Sequence, residues 1–119
     1  MTVYVVQEVA GRNILGARKY GDLQVLLPSN VNIVLSPSPT VRRLRESLKN
    51  FSSEDFLLMM GDPAAIGIAC VIASECTVGK FSILKWDRIE KTYYPVNIQI
   101  NWTMGIIMDP KLSITKDEI

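Results

Sequence analysis

The chain has 119 residues, 48% of them hydrophobic and 21% charged, with a formal net charge of +1. That balance predicts one globular domain with an ordinary core, and it excludes a globally basic nucleic-acid binder. There is no histidine, which excludes a Ser-His-Asp triad, histidine general acid-base chemistry and most zinc sites. The charge is uneven: residues 1–50 carry +4 and residues 51–119 carry −3, so a basic patch is expected in the first half.

The opening residues MTVYVVQEV have neither a basic start nor a long apolar core, and they predict no signal peptide. The β-branched and aromatic run VYVVQE (3–8) predicts a strand. AGRNILGARKYGD is glycine-rich and polar and predicts an irregular excursion. LQVLLP (23–28) predicts a second strand closed by Pro28. IVLS (33–36) predicts a short buried strand, being a continuous apolar run.

Thr40 is the expected N-cap of a helix, VRRLRESLKNF. Val41, Leu44, Leu48 and Phe51 form its apolar stripe, and Arg42, Arg45 and Lys49 form a cationic one. Arg42 and Glu46 have the spacing of an i,i+4 pair. FLLMM (56–60) predicts the next strand. Gly61 makes a corner, Asp62 caps, and Pro63 suits the first position of a second helix ending near Glu75. That helix, PAAIGIACVIASE, has almost no polar face, so it needs cover on every side. Cys70 and Cys76 fall on different faces of it, which predicts reduced thiols rather than a bridge between them.

FSILKWD (81–87) predicts a strand, RIEK a turn, and TYYPVNIQINW a final strand. In the last, Tyr94, Val96, Ile98, Ile100 and Trp102 alternate with polar residues and predict one buried face. Pro95 cannot donate to a ladder and predicts an edge strand. The expected fold is α/β: a single domain over residues 1–102 with a mixed five- to six-stranded sheet and two helices, in the order β-β-β-α-β-α-β-β. The strands at 33–36, 56–60 and 81–86 are expected to run parallel, and the N-terminal strands to add antiparallel pairs. Residues 103–119 form a tail with an apolar knot, MGIIM, read as an oligomerisation arm. No apolar run reaches the ~18 residues of a membrane span.

In a parallel sheet, ligands sit beyond the carboxyl ends of the strands. Ser38, Thr40, Gly61, Asp62, Asp87 and Arg88 are expected at that rim, beside two helix N-termini that favour anions. Asp62 and Asp87, on neighbouring strands, offer the two carboxylates of a Mg²⁺ anchor. Helix capping and turn formation select the same residues at these positions. Neither phosphate-binding glycine pattern is present. The other candidate surface is cationic: Arg42, Arg45 and Lys49, joined by Arg12, Arg18 and Lys19 and by the aromatic rings of Trp86, Tyr93 and Tyr94, as a nucleic-acid contact. Neither a catalytic residue, a metal site nor a cofactor is assigned.

DFLLMMGDPAAIGIACVIA and LKWDRIEKTYYPVNIQI resemble small proteins of tailed bacteriophages, short-tailed marine phages among them, a family with no assigned activity; the likeness runs from Asn32 to Ile100. The resemblance implies a phage accessory protein acting in the cytoplasm of the infected host cell, binding a host or phage protein or nucleic acid. Together these readings give a non-catalytic, self-associating phage protein, a homodimer by preference, that binds a macromolecular partner and no membrane. The alternative is a nucleotide-binding or Mg-dependent phosphoryl or phosphodiester enzyme with its site at the strand-end rim.

Overall fold

A computed structural model describes residues 1–100. The expected tail, with Trp102 and the oligomerisation arm, lies outside the described residues. The elements are β1 (Thr2–Gln7), a 3₁₀ segment (Leu15–Tyr20), β2 (Asp22–Leu27), α1 (Pro37–Ser47), β3 (Phe56–Leu58), α2 (Pro63–Thr77), β4 (Lys80–Asp87) and β5 (Thr92–Gln99). They build one mixed five-stranded sheet in the order β2-β1-β3-β4-β5. The α/β class and the two helices are as expected.

β1 is the axis of the sheet. Its run of β-branched residues suits a strand buried on both faces, and Val3, Val5 and Val6 are fully buried. It pairs in parallel with β2 on one side and with β3 on the other. β3 pairs in parallel with β4, and only β5 is antiparallel. The antiparallel pairing expected of the N-terminal strands is therefore wrong. The glycine-rich excursion after β1 is long enough to carry the chain back across the sheet, and its 3₁₀ turn supplies the crossover.

The direction of travel explains which face each connection takes. From β1 to β2 the chain moves toward one edge; from β2 to β3 and from β3 to β4 it moves toward the other. Keeping one crossover hand requires the first connection to lie on the opposite face from the other two. The two core layers follow. Tyr4, Val6, Leu26, Leu57 and Phe81 pack under Leu44, Leu48, Ala65, Ala69, Ile72 and Ala73 of the helical layer. Val3, Val5, Leu58, Leu84 and Tyr93 pack under Ala17 of the 3₁₀ segment, with Ile14 and Tyr20 beside it.

Residues 33–36 do not form a strand. Ile33 is buried, but Val34 and Leu35 are each 81% exposed. Asn32 folds the run into a turn: its Oδ1 accepts from Val34 N, and its carbonyl accepts from Leu35 N and Ser36 N. This is the local side-chain chemistry that makes asparagine a turn former. The helix then begins at Pro37, four residues before Val41, with Ser36 at the cap position. Thr40 does not cap. It is buried in the first turn, and its hydroxyl donates to Ser36 O at 2.7 Å.

α2 begins as its sequence predicts. Asp62 caps it, Oδ1 accepting from Ala64 N at 2.8 Å, and Pro63 occupies the first turn. Ala65, Ala69, Ile72 and Ala73 are buried against the sheet. The cover expected on every side is absent among the described residues: Val71 is 60% exposed, and Ala64 and Gly67 lie beside it at the surface.

β5 is the edge strand that Pro95 implies. Leu84, its partner, turns its carbonyl toward β3, donated to by Met59 N. The Pro95 nitrogen therefore faces the open edge, where no ladder bond is lost. The buried face predicted for β5 is not found. Tyr94, Val96 and Ile100 are 42%, 39% and 46% exposed, and Ile98 is half-buried. The helices pack mainly over β1, β2 and β4, and of the predicted face only Ile98 packs against the helical core.

Candidate functional site

The carboxyl ends of the parallel strands come first, because the fold singles out one point there. The chain leaves β1 for one face of the sheet and leaves β3, its neighbour, for the other. The crevice between these two strand ends is the topological switch point, where open α/β sheets bind ligands. Here it is filled by Gln7, the last residue of β1.

Gln7 is 5% exposed, and every polar group of its side chain is bonded. Nε2 donates to Pro28 O at 3.2 Å and to Val31 O at 3.0 Å. Oε1 accepts from Asp62 N at 2.8 Å. Its backbone N–H donates to Met60 O at 3.0 Å. One amide thus fastens the loop after β2 and the corner after β3 to the end of β1. Gly61 is the companion of this plug. Its φ is +113°, and a Cβ there would lie 2.3 Å from Gln7 Cβ and 2.9 Å from Gln7 Oε1. Glycine stands at the corner because the Gln7 side chain occupies the space a larger residue would need.

Asp87 serves local structure as well. Asp87 Oδ1 accepts from Ile89 N at 2.9 Å and Glu90 N at 3.5 Å, holding the β4–β5 turn. Leu58 is level with Leu84, so β4 runs on for about 10 Å to Asp87 while the chain at Asp62 turns into α2. Among the described residues, no group of three or more histidine, cysteine or acidic side chains is placed to hold a metal. Ser38 is exposed in the first turn of α1, and Arg88 stands exposed in the β4–β5 turn.

The cationic stripe of α1 is real but partly neutralised. Arg45 Nη2 lies 3.1 Å from Glu75 Oε1 of α2, both side chains more than half exposed. Lys49 Nζ lies 2.7 Å from Glu46 Oε1, so Glu46 pairs with Lys49 rather than Arg42. Exposed pairs of this kind contribute at most about 1 kcal/mol. Arg42 has no ion-pair partner among the described residues. Between the two helices lies an open apolar groove lined by Val41, Ala64, Gly67, Ile68 and Val71, with Arg45 at its rim. Apart from its chain neighbours and the backbone of its own helix, nothing stands within 4 Å of where a Gly67 Cβ would sit.

The aromatic residues expected to join this stripe do not. α1 packs on β2 at one edge of the sheet and on α2. Trp86 and Tyr93 belong to the opposite face, on the β4–β5 hairpin. The Tyr94 ring shares the helical face but lies on β5, the far edge from β2.

Trp86 and Tyr93 have cationic neighbours of their own. They share a cleft with Gly11, Arg12, Asn13 and Arg88. Tyr93 is buried, its ring in an edge-on contact with Trp86 (centroids 4.9 Å apart, 62° between planes). Its hydroxyl donates to Asn13 O at 3.5 Å, and its carbonyl accepts from the Tyr20 hydroxyl at 3.0 Å. Burial pushes the Tyr93 phenol above its ordinary pKa, and the nearby Arg12 guanidinium pulls the other way. Lys19 adds a third cation near the turn end of the hairpin, its Nζ 3.5 Å from Thr92 Oγ1 and over the Tyr20 ring. Sequence reasoning placed Arg12, Lys19, Trp86 and Tyr93 among the candidates but joined them to α1, and it assigned Arg88 to the strand-end rim; Gln7 it missed altogether.

No helix among the described residues is long and apolar enough to cross a membrane. The family described as Phage Pam3 gp32-like protein matches residues 1–100. No curated protein and no solved structure matches the chain.

Proposed function

The chain belongs to the Phage Pam3 gp32-like protein family, and from that premise we propose that it is a non-catalytic accessory protein that self-associates and binds a macromolecular partner in the cytoplasm of the infected cell. The observation that carries this reading is a contrast in how polar and apolar groups are used. At the strand-end rim, Gln7, Asp62 and Asp87 spend their polar atoms on the protein's own backbone. On the helical layer, apolar surface is left open between α1 and α2, with Val71 60% exposed at its centre. A second copy of the chain is the occupant we favour for that groove. Gly67 allows close backbone approach, and the Arg45–Glu75 pair at its edge presents both charges to a two-fold related copy.

The exposed stripe Arg42, Arg45 and Lys49 flanks this groove and is our candidate for partner contact outside the dimer. The nucleotide-binding or Mg-dependent enzyme is the less favoured reading, because Asp62 and Asp87, the carboxylates it needs, already have local roles. Size-exclusion chromatography with light scattering tests the proposal. A dimer mass at micromolar concentration is expected, falling to the monomer with Val71→Arg. Because Val71 is exposed, this variant keeps its fold, as circular dichroism would register. A monomer for the unaltered chain across the concentration range overturns self-association.

A further inference from the structure

We propose that the cleft between the β4–β5 hairpin and the loop after β1 binds single-stranded nucleic acid, with a base stacked on Trp86 and the adjoining phosphates held by Arg12 and Arg88. This names a partner class for the binding reading above, on a surface across the sheet from the self-association groove.

The argument starts from the indole. Trp86 is 38% exposed on a strand, in a molecule that buries Tyr4, Phe51, Phe81 and Tyr93 almost completely. It is also held. Tyr93 meets it edge-on, and Tyr93 is fixed by its own burial and by bonds to Asn13 and Tyr20. A large ring, partly exposed and fixed in orientation, is a stacking platform that loses little side-chain entropy on binding.

The charge around it supplies the second half. Arg12 comes from the loop after β1 and Arg88 from the hairpin turn; both line the same cleft as Trp86. Neither has a carboxylate within ion-pairing distance among the described residues. This differs from α1, where Arg45 and Lys49 are paired. The acidic groups of the hairpin are committed within it: Asp87 accepts turn N–H groups, and Glu90 accepts the hydroxyl of Tyr94, whose ring lies on the other face. Lys19 extends the cationic side toward Thr92. Guanidinium groups beside an aromatic face suit a chain of alternating phosphates and bases. A duplex hides the base faces, so the cleft selects single strands.

Fluorescence on the full chain carrying Trp102→Phe tests this, because Trp86 is then the sole tryptophan. Titration with a mixed-sequence single-stranded oligonucleotide at low salt is expected to quench Trp86 and to weaken steeply as salt rises. Arg12→Ala with Arg88→Ala should lower affinity by about tenfold or more and flatten the salt dependence. Trp86→Leu, followed by anisotropy of a labelled oligonucleotide, should weaken binding about tenfold. Both arginines are exposed, so the arginine variants give an answer even if Trp86→Leu fails to fold. No binding at low salt, binding unchanged in the double arginine variant, equal binding of duplex, or equal affinity for a mononucleotide each overturns the proposal. Light scattering of the same samples reads self-association separately: a monomer that still quenches with the oligonucleotide refutes the dimer and leaves the cleft standing.

Discussion

Two places on this sheet look alike in outline and differ in how their polar groups are used. The crevice between the ends of β1 and β3 and the cleft beside the β4–β5 hairpin are both bounded by loops at strand ends. In the crevice, one buried glutamine bonds three backbone groups from two other segments. In the cleft, two arginines line an exposed indole without ion-pair partners among the described residues. Polar groups bonded to the protein's own backbone hold the fold together. Polar groups bonded only to water are available to another molecule. The difference predicts that substitutions in the crevice act on stability and those in the cleft act on binding.

The largest effect is expected at Gly61. An added methyl meets Gln7 Cβ at 2.3 Å while the backbone is held at φ +113°. Gly61→Ala should therefore lower unfolding stability by about 3 kcal/mol or more, read as a fall in denaturation midpoint. Two causes contribute, and Gln7→Gly separates them. In that background most of the steric part disappears, because the clashing Cβ and amide oxygen are gone and only Gln7 Cα stays close, at 3.2 Å, while the backbone part remains. Gly61→Ala should then cost clearly less than it does in the natural chain. Equal costs in both backgrounds would show that the close approach does not matter.

Gln7→Ala is expected to come next, at about 2 kcal/mol. It removes one acceptor and two donated bonds and leaves Pro28 O, Val31 O and Asp62 N without their partner. Hydrogen exchange sharpens the reading beyond a global number. Protection should fall at Asp62 and in the loop after β2 before it falls in β1, since the side chain ties those segments down and the β1 ladder does not depend on it. A uniform loss over the sheet would mean that Gln7 acts as one more core residue rather than as a clasp.

What the sequence made legible follows the same division between local and distant causes. Gly61, Asp62 and Pro63 were readable as corner, cap and first-turn proline because each role is decided within a few residues, and Pro95 announced an edge for the same reason. IVLS misled because a continuous apolar run fits a buried strand, while the deciding group, the Asn32 side chain, lies one residue ahead of it. The parallel β1–β2 pairing was not readable, since the crossover between them is a short 3₁₀ turn without an amphipathic stripe. Gln7 was invisible: a glutamine at the end of a strand carries no local signal, and its partners stand 21, 24 and 55 residues away. The cleft was half readable. Its aromatic and basic residues stood out by type, but which face of the sheet each occupied depended on a strand order that the misread third strand had distorted.

The smallest stability effect is expected in the cleft, and it completes the comparison. Arg12→Ala with Arg88→Ala should leave stability within about 0.5 kcal/mol of the natural chain, because both side chains are exposed and neither closes an ion pair among the described residues. The substitution should still be felt at Tyr93. Burial already raises that phenol, and Arg12 opposes the shift by favouring the phenolate. Removing the guanidinium takes away the opposing influence, so the Tyr93 pKa rises further, which tyrosine ring carbon shifts followed by NMR would register. The sign for stability follows from linkage. A phenol whose folded-state pKa is raised stabilises the protein fully below its unfolded value and loses that contribution as pH rises through the folded one. The variant should therefore part from the natural chain only in alkaline solution, where its stability falls more steeply with pH. A cleft variant that unfolds readily at neutral pH would place these arginines with Gln7, as part of the structure rather than as groups left free for a ligand.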